Sequence, residues 1–131
     1  MKKHAAVVFV LTPDGRTIAG FYTLSQYAVE LEVIPEEIAR KLPKYPQVPA
    51  TLVGRLAVSL SFRGQRLGEK LLMDALYHSL QGSRQLASAA VIVDAKDDRA
   101  VAFYKKYGFL EIPKVPKRLF LPMDTIAELF G

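Results

Sequence analysis

The sequence predicts an α/β fold, a mixed sheet with crossover helices at its middle and hairpins at its ends. Three observations carry this. Two runs rich in β-branched and aromatic residues near the N-terminus are separated by Thr12-Pro13-Asp14-Gly15, a turn sequence. Two apolar runs, Thr51–Ser59 and Ala89–Asp94, are each followed by a segment of helical periodicity. A last pair of short strand-like segments closes the chain.

Each element follows from its residues. Ala5–Leu11 and Thr17–Ser25 read as a hairpin, and a weaker extended segment, Tyr27–Val33, comes next. Pro35 at a first helical position, followed by Glu36 and Glu37, starts a short helix to about Lys41. Lys41–Pro49 holds Pro43, Pro46 and Pro49, which remove donors and fix φ, so a stiff loop is expected there. Thr51–Ser59 is apolar on both faces and is predicted to be a central strand. From about Arg66 to Gln81, Leu67, Leu71, Leu72, Ala75, Leu76 and Leu80 form one helical stripe, which Gly82 is expected to end. Ala89–Asp94 reads as a buried strand. Asp97 suits the cap of a helix running to about Tyr107, with Gly108 as its stop. Leu110–Ile112 and Arg118–Met123 form the last strand pair, and Asp124–Phe130 a terminal helix.

The 131 residues suit one domain, 1–131, and half of them are apolar, enough for a core. No run reaches the roughly 18 apolar residues of a membrane span. Lys2 and Lys3 before Ala5–Leu11 resemble a short signal peptide, but the turn that follows favours a hairpin strand. The absence of cysteine excludes disulfides and thiolate metal sites and is compatible with the cytoplasm. His4 and His78 are too far apart in the chain to suggest a metal pair, so no metal is expected. A net charge of +5 and a pI near 9.5 favour an anionic ligand or partner: nucleic acid, a phosphorylated cofactor or an acidic protein.

The sharpest local signal is the junction Arg63-Gly64-Gln65-Arg66-Leu67-Gly68, between an apolar run and an amphipathic helix. Glycine lets a backbone approach a ligand closely, and the first N–H groups of a helix have no intrahelical partner. The helix dipole adds about half a positive charge at that end. A pyrophosphate is the ligand this arrangement suits.

The same junction resembles the acetyl-CoA loop of the GCN5-related N-acetyltransferases (GNAT), whose pattern is Arg/Gln-x-x-Gly-x-Gly/Ala. Val91-Ile92-Val93-Asp94-Ala95 ends in that family's manner. The stretch from Asp97 to Phe109 contains Ala100, Phe103, Tyr104, Gly108 and Phe109 at the spacing of its Asn-x-x-Ala-x-x-Phe-Tyr-x-x-x-Gly-Phe motif. Tyr22-Thr23-Leu24-Ser25, the proline-rich Leu42–Pro49 and Gly54-Arg55-Leu56-Ala57-Val58 are similar to the GNAT toxins of bacterial toxin–antitoxin pairs. Arg66 stands where the family's loop has its first glycine. The resemblance also implies that a strand and one or two helices ahead of the first hairpin, which help wall the acceptor site, are missing here.

That resemblance implies acetyl transfer from acetyl-CoA to an amine. The reaction needs a bound thioester, a neutral amine, stabilisation of a developing oxyanion and a proton for the departing thiolate. The cofactor-binding residues it implies are Arg63, Gly64, Gln65, Arg66, Leu67, Gly68 and Glu69 for pyrophosphate, Leu56, Ala57 and Val58 beside pantetheine, and Asp97. A backbone N–H near Val58 would face the acetyl oxygen. Tyr104 would be the general acid, since a phenol of ordinary pKa, about 10, is protonated at neutral pH. Periodicity alone reads Tyr104 as packed core beside Ala100, Phe103 and Tyr107.

No acidic residue lies between Thr51 and Ser59 to serve as a base; Glu30 and Glu32 suit either a water-relayed base or a solvated edge. An α-amine, with an unperturbed pKa of about 8, needs no strong base, which favours it over a lysine side chain as acceptor. The toxin likeness implies the amine of an aminoacyl-tRNA as acceptor, a ribbon-helix-helix antitoxin as partner, and a homodimer. Lys44, Arg55, Arg63, Arg66, Lys70, Lys105, Lys106, Lys114, Lys117 and Arg118 are the cations that could serve tRNA, CoA phosphates or plain solvation. Two other functions stay open: a GNAT acting on a small amine or protein N-terminus, and a degenerate domain that binds CoA or a partner without catalysis. A doubly wound nucleotide-binding sheet is the alternative fold, disfavoured by the opening hairpin.

Overall fold

Val7–Leu11 (β1) and Gly20–Glu30 (β2) pair antiparallel, with Val7 opposite Leu24 and Leu11 opposite Gly20. Asp14 organises the turn between them: its Oδ1 accepts from the N–H groups of Arg16 at 2.9 Å and Thr17 at 2.7 Å. These coordinates are a computed structural model that describes residues 6–40 and 46–131. Gln47–Val58 (β3) lies antiparallel to β2, and Ala90–Asp94 (β4) lies parallel to β3. Arg118–Pro122 (β6) runs antiparallel to β4, and Leu110–Glu111 (β5) forms the far edge. The six-stranded order is β1-β2-β3-β4-β6-β5.

One face of this sheet carries Tyr22, Val53, Val91, Val93, Leu119 and Leu121. The long helix Leu67–Leu86 (α2) packs there through Leu71, Leu72, Ala75 and Leu76, as its stripe predicts. Full burial of a leucine such as Leu72 or Leu76 contributes about 2 kcal/mol. Asp98–Lys106 (α3) and Met123–Leu129 (α4) join the same layer through Tyr104, Met123 and Ile126. The other face buries Val29, Ala50, Ile92, Ile112 and Phe120 beneath Ile34 and the short helix Glu36–Ala39 (α1).

Several boundaries differ from the sequence reading. Thr17–Ser25 and Tyr27–Val33 are not separate segments; β2 runs unbroken from Gly20 to Glu30 because β3 pairs with it as far as Glu30 opposite Gln47, and Leu31–Val33 is a 3-10 turn. The proline-rich loop is shorter than expected. Its part from 41 to 45 lies outside the described residues, but Gln47, Val48 and Pro49 already belong to β3. The Pro49 carbonyl accepts from Ala89 N–H at 2.8 Å, so the missing Pro49 N–H points to the same side, before the β4 ladder begins. A proline there removes no strand-to-strand bond.

Gly82 does not end α2. The helix continues to Leu86 and stops at Ala87, whose φ of 56° is left-handed. A glycine inside a helix costs about 1 kcal/mol, too little to end a helix that is buried through Leu71, Leu72, Ala75, Leu76 and Ser79.

Candidate active site

The site begins where β3 leaves β4. Their ladder covers only Thr51–Val53 against Val91–Val93, after which β3 runs on to Val58 with no strand partner on that side among the described residues. A bulge sits at the parting. Tyr22 faces Leu56 and Leu24 faces Val53, so Gly54 and Arg55 together oppose Thr23. Arg55 N–H is held by Thr23 Oγ1 at 3.0 Å. Such a bulge bends and twists its strand, which carries β3 away from β4. Ser59 N–H returns to the carbonyl of Ala19, just ahead of β2, at 2.8 Å. Strand alternation then turns the main-chain groups of Val58 and Leu56 the other way, into the gap.

At the end of that gap, residues 63–69 wrap the N-terminus of α2. Gly64 has φ +85°, and Arg66, where the GNAT pattern has glycine, takes glycine's conformation at φ 59°. No side chain caps the helix there, so its first N–H groups remain available to a ligand. Val58, Phe62, Arg63, Gly64, Arg66, Leu67, Gly68, Glu69, Phe103, Lys106 and Tyr107 line a hollow of about 290 Å³. A Cβ at Gly68 would stand 3.8 Å from the Phe103 ring, an ordinary contact, so packing alone does not demand glycine there. Arg63, Arg66 and Lys106 supply positive charge. Glu69 is the one carboxylate among the lining residues, and its side chain accepts the Tyr107 hydroxyl. That bond, helped by Arg66 and Lys106, holds Glu69 below the ordinary carboxylate range.

Of the residues singled out in the sequence, Val58, Arg63, Gly64, Arg66, Leu67, Gly68 and Glu69 therefore converge on one hollow, with Gln65 in the same loop. Leu56 and Ala57 precede Val58 along the parting strand. Asp97 does not line the hollow. Its Oδ1 accepts from Ala100 N–H at 2.9 Å and caps α3. Tyr104 lies in α3 with its ring edge-on to Phe103 and Phe109 and is 8% exposed. No described group hydrogen-bonds its hydroxyl, and that oxygen is not sealed from solvent either. Burial of the ring raises its pKa. It stays a protonated phenol at neutral pH.

Phe62, Phe103 and Tyr107 were not legible as lining residues. They reach the hollow from a 3-10 turn and from α3, and helical spacing had put Phe103 and Tyr107 in the core. Arg118 is committed elsewhere, bonding both Asp94 oxygens at 2.6 and 2.8 Å and the Tyr27 hydroxyl. Lys105 pairs with Glu111 at 3.7 Å. Lys44 and His4 lie outside the described residues. Among the described residues no group of three His, Asp or Glu side chains is placed to hold a metal, and no helix is long and apolar enough to cross a membrane.

A family model described as an acetyltransferase (GNAT) domain matches residues 4–111. The chain belongs to the GNAT acetyltransferases. This GNAT chain is 33% identical over 132 residues to "Probable toxin TacT" of Sinorhizobium fredii, covering 95% of this chain and 73% of that protein. It is 36% identical over 123 residues to a "tRNA-acetylating toxin" of Mycobacterium tuberculosis, covering 94% of this chain and 72% of that one. Among solved structures, AtaT complexed with acetyl-methionyl-tRNAfMet matches at a TM-score of 0.86 and 29% identity, over 96% of this chain and 76% of that chain. AtaT has also been solved with acetyl-CoA and as a tyrosine-to-phenylalanine variant.

Proposed function

We propose that this GNAT chain is a toxin that acetylates the α-amine of aminoacyl-tRNA, taking the acetyl group from acetyl-CoA by direct transfer with Tyr104 as general acid. One observation carries the reading: the open edge of β3 at Leu56–Val58 leads straight into a cationic hollow at the N-terminus of α2. A pyrophosphate suits the hollow and an extended pantetheine arm suits the edge. The relatives support the acceptor, one being named for tRNA acetylation and another solved with an acetylated aminoacyl-tRNA.

The residues divide the work. N–H groups from Gln65 to Glu69, with Arg63, Arg66 and Lys106, hold the phosphates. Main-chain groups of Leu56 and Val58 align the pantetheine arm, and an N–H near Val58 meets the acetyl oxygen as it gains charge. The amine nitrogen bonds to the acetyl carbon, the carbon–sulfur bond breaks, Tyr104 protonates the sulfur, and the amine gives up its proton to water. The tyrosine-to-phenylalanine variant of AtaT is consistent with a tyrosine at the centre of this chemistry. Asp97 serves by fixing the start of α3, and so the place of Tyr104, rather than by touching the cofactor.

The same reading makes residues 1–131 one acetyltransferase domain, working as a homodimer in the cytoplasm under a ribbon-helix-helix antitoxin. Solved complexes of AtaT with the antitoxin AtaR, and of KacTA with DNA, support an antitoxin that binds DNA. The test is single-turnover transfer from radiolabelled acetyl-CoA to a pool of charged tRNAs. Label on aminoacyl-tRNA, slowed about 100-fold in Tyr104→Phe, is expected. Binding of acetyl-CoA with no label on any charged tRNA would overturn the acceptor and point to a small amine or a protein N-terminus.

A further inference from the structure

A hydrogen-bonded cluster outside the hollow ties α2 to β2. The Tyr22 hydroxyl lies 2.6 Å from Asp74 Oδ2 and 2.7 Å from His78 Nδ1. Tyr22 is 1% exposed, while Asp74 and His78 occupy successive turns of α2. A phenol has one proton and a carboxylate only accepts, so Tyr22 donates to Asp74. His78 must then carry its hydrogen on Nδ1 and donate to the Tyr22 oxygen. Phe9 stacks on both rings, at 4.9 Å from Tyr22 and 4.4 Å from His78, and holds them in place.

A second contact lies two residues earlier on β2. A Cβ at Gly20 would come within 2.7 Å of Leu71 Cδ1 and 2.9 Å of the Ala57 carbonyl, so α2 rests directly on the β2 backbone there. The register gives these two contacts their meaning. Gly20 is the cross-strand partner of Val58, and Tyr22 is the partner of Leu56. The two β2 residues that bear α2 are thus paired with the two β3 residues whose main chain faces the gap.

We infer that Tyr22, with Asp74 and His78, is a positioning residue that fixes the distance between the phosphate loop on α2 and the open edge of β3. This rests on the acetyl-CoA reading of the site. A ligand that spans both elements gains affinity only if they are held in register; a ligand of the loop alone does not depend on the lock.

Calorimetric titration with two probes separates the cases. ADP engages the loop through its pyrophosphate; acetyl-CoA engages loop and edge together. In Tyr22→Phe, which keeps the ring and its stacking, ADP affinity is expected to match wild type, while acetyl-CoA affinity falls about tenfold. Asp74→Asn, at a half-exposed position, is expected to show the same split at about threefold, and it carries the test if Tyr22→Phe does not fold. Equal affinities of both variants and wild type for acetyl-CoA, or equal losses for both probes, would overturn the lock. Failure of wild type itself to bind acetyl-CoA would instead remove the reading beneath it.

Discussion

The Tyr107 hydroxyl of α3 reaches across to the Glu69 carboxylate in the first turn of α2, bridging the two helices that flank the cationic hollow. The bond gives a carboxylate a donor beside the cationic residues of the hollow. It keeps Glu69 ionised while spreading its charge over a donor.

On the proposed reading, Glu69 opposes phosphate binding. Glu69→Gln keeps the acceptor for Tyr107 and removes the charge. It is expected to tighten acetyl-CoA binding about threefold at low salt, with the gain shrinking as salt screens it. Titration at two ionic strengths checks both parts.

Arg66 sits at φ 59°, a conformation that costs a non-glycine residue about 1–2 kcal/mol. Arg66→Gly releases that strain but adds chain entropy to the unfolded state, about 0.5–1 kcal/mol. The strain is the larger effect, so the variant is expected to be more stable by about 0.5–1 kcal/mol in urea denaturation. Its acetyl-CoA affinity is expected to fall several-fold, since on the proposed reading it loses a cation that would pair with phosphate.

Among the described residues, three tyrosines have raised pKa values: Tyr22 chiefly through burial, Tyr104 through burial, and Tyr107 chiefly through its bond to Glu69. A raised folded-state value means that the folded protein holds the proton more tightly than the unfolded chain. The stability this contributes is complete below pH 10 and is lost as pH rises through the folded values. Absorbance titration at alkaline pH should show a late class of tyrosines, and urea midpoints should drop above pH 10. Tyr22→Phe should flatten that drop.

Asp97 is a helix cap in this structure, which separates two consequences of its removal. Asp97→Ala is expected to cost about 1 kcal/mol of stability. Acetyl-CoA affinity measured on the folded fraction is expected to stay within twofold of wild type. A large loss of affinity without a loss of stability would return Asp97 to the cofactor site.

The sequence reading reached far where the signal is local. The stripe of α2, the Asp97 cap, the Gly108 stop and the buried β4 each depend on residues within a few positions of one another, and all appear in the structure. The glycine-and-arginine loop was legible as a break before a helix, and Arg66 takes the left-handed backbone of a glycine although it is not one. The reading fell short where a partner strand or helix decides. Pro49 joins a strand because β4 begins just beyond it, and α2 runs through Gly82 to a left-handed stop at Ala87.

By itself, then, the sequence determined most of the order and kind of the elements and the turn that starts α2, because periodicity, capping and turn chemistry act over single turns. Tertiary structure alone decided how far the strands run and where β3 parts from β4. It also brought Phe62, Phe103 and Tyr107 to the hollow. The cluster of Tyr22 with Asp74 and His78 joins residues 52 and 56 positions apart. No local pattern records such a meeting, because burial and hydrogen bonding reward proximity in space and leave separation along the chain unmarked.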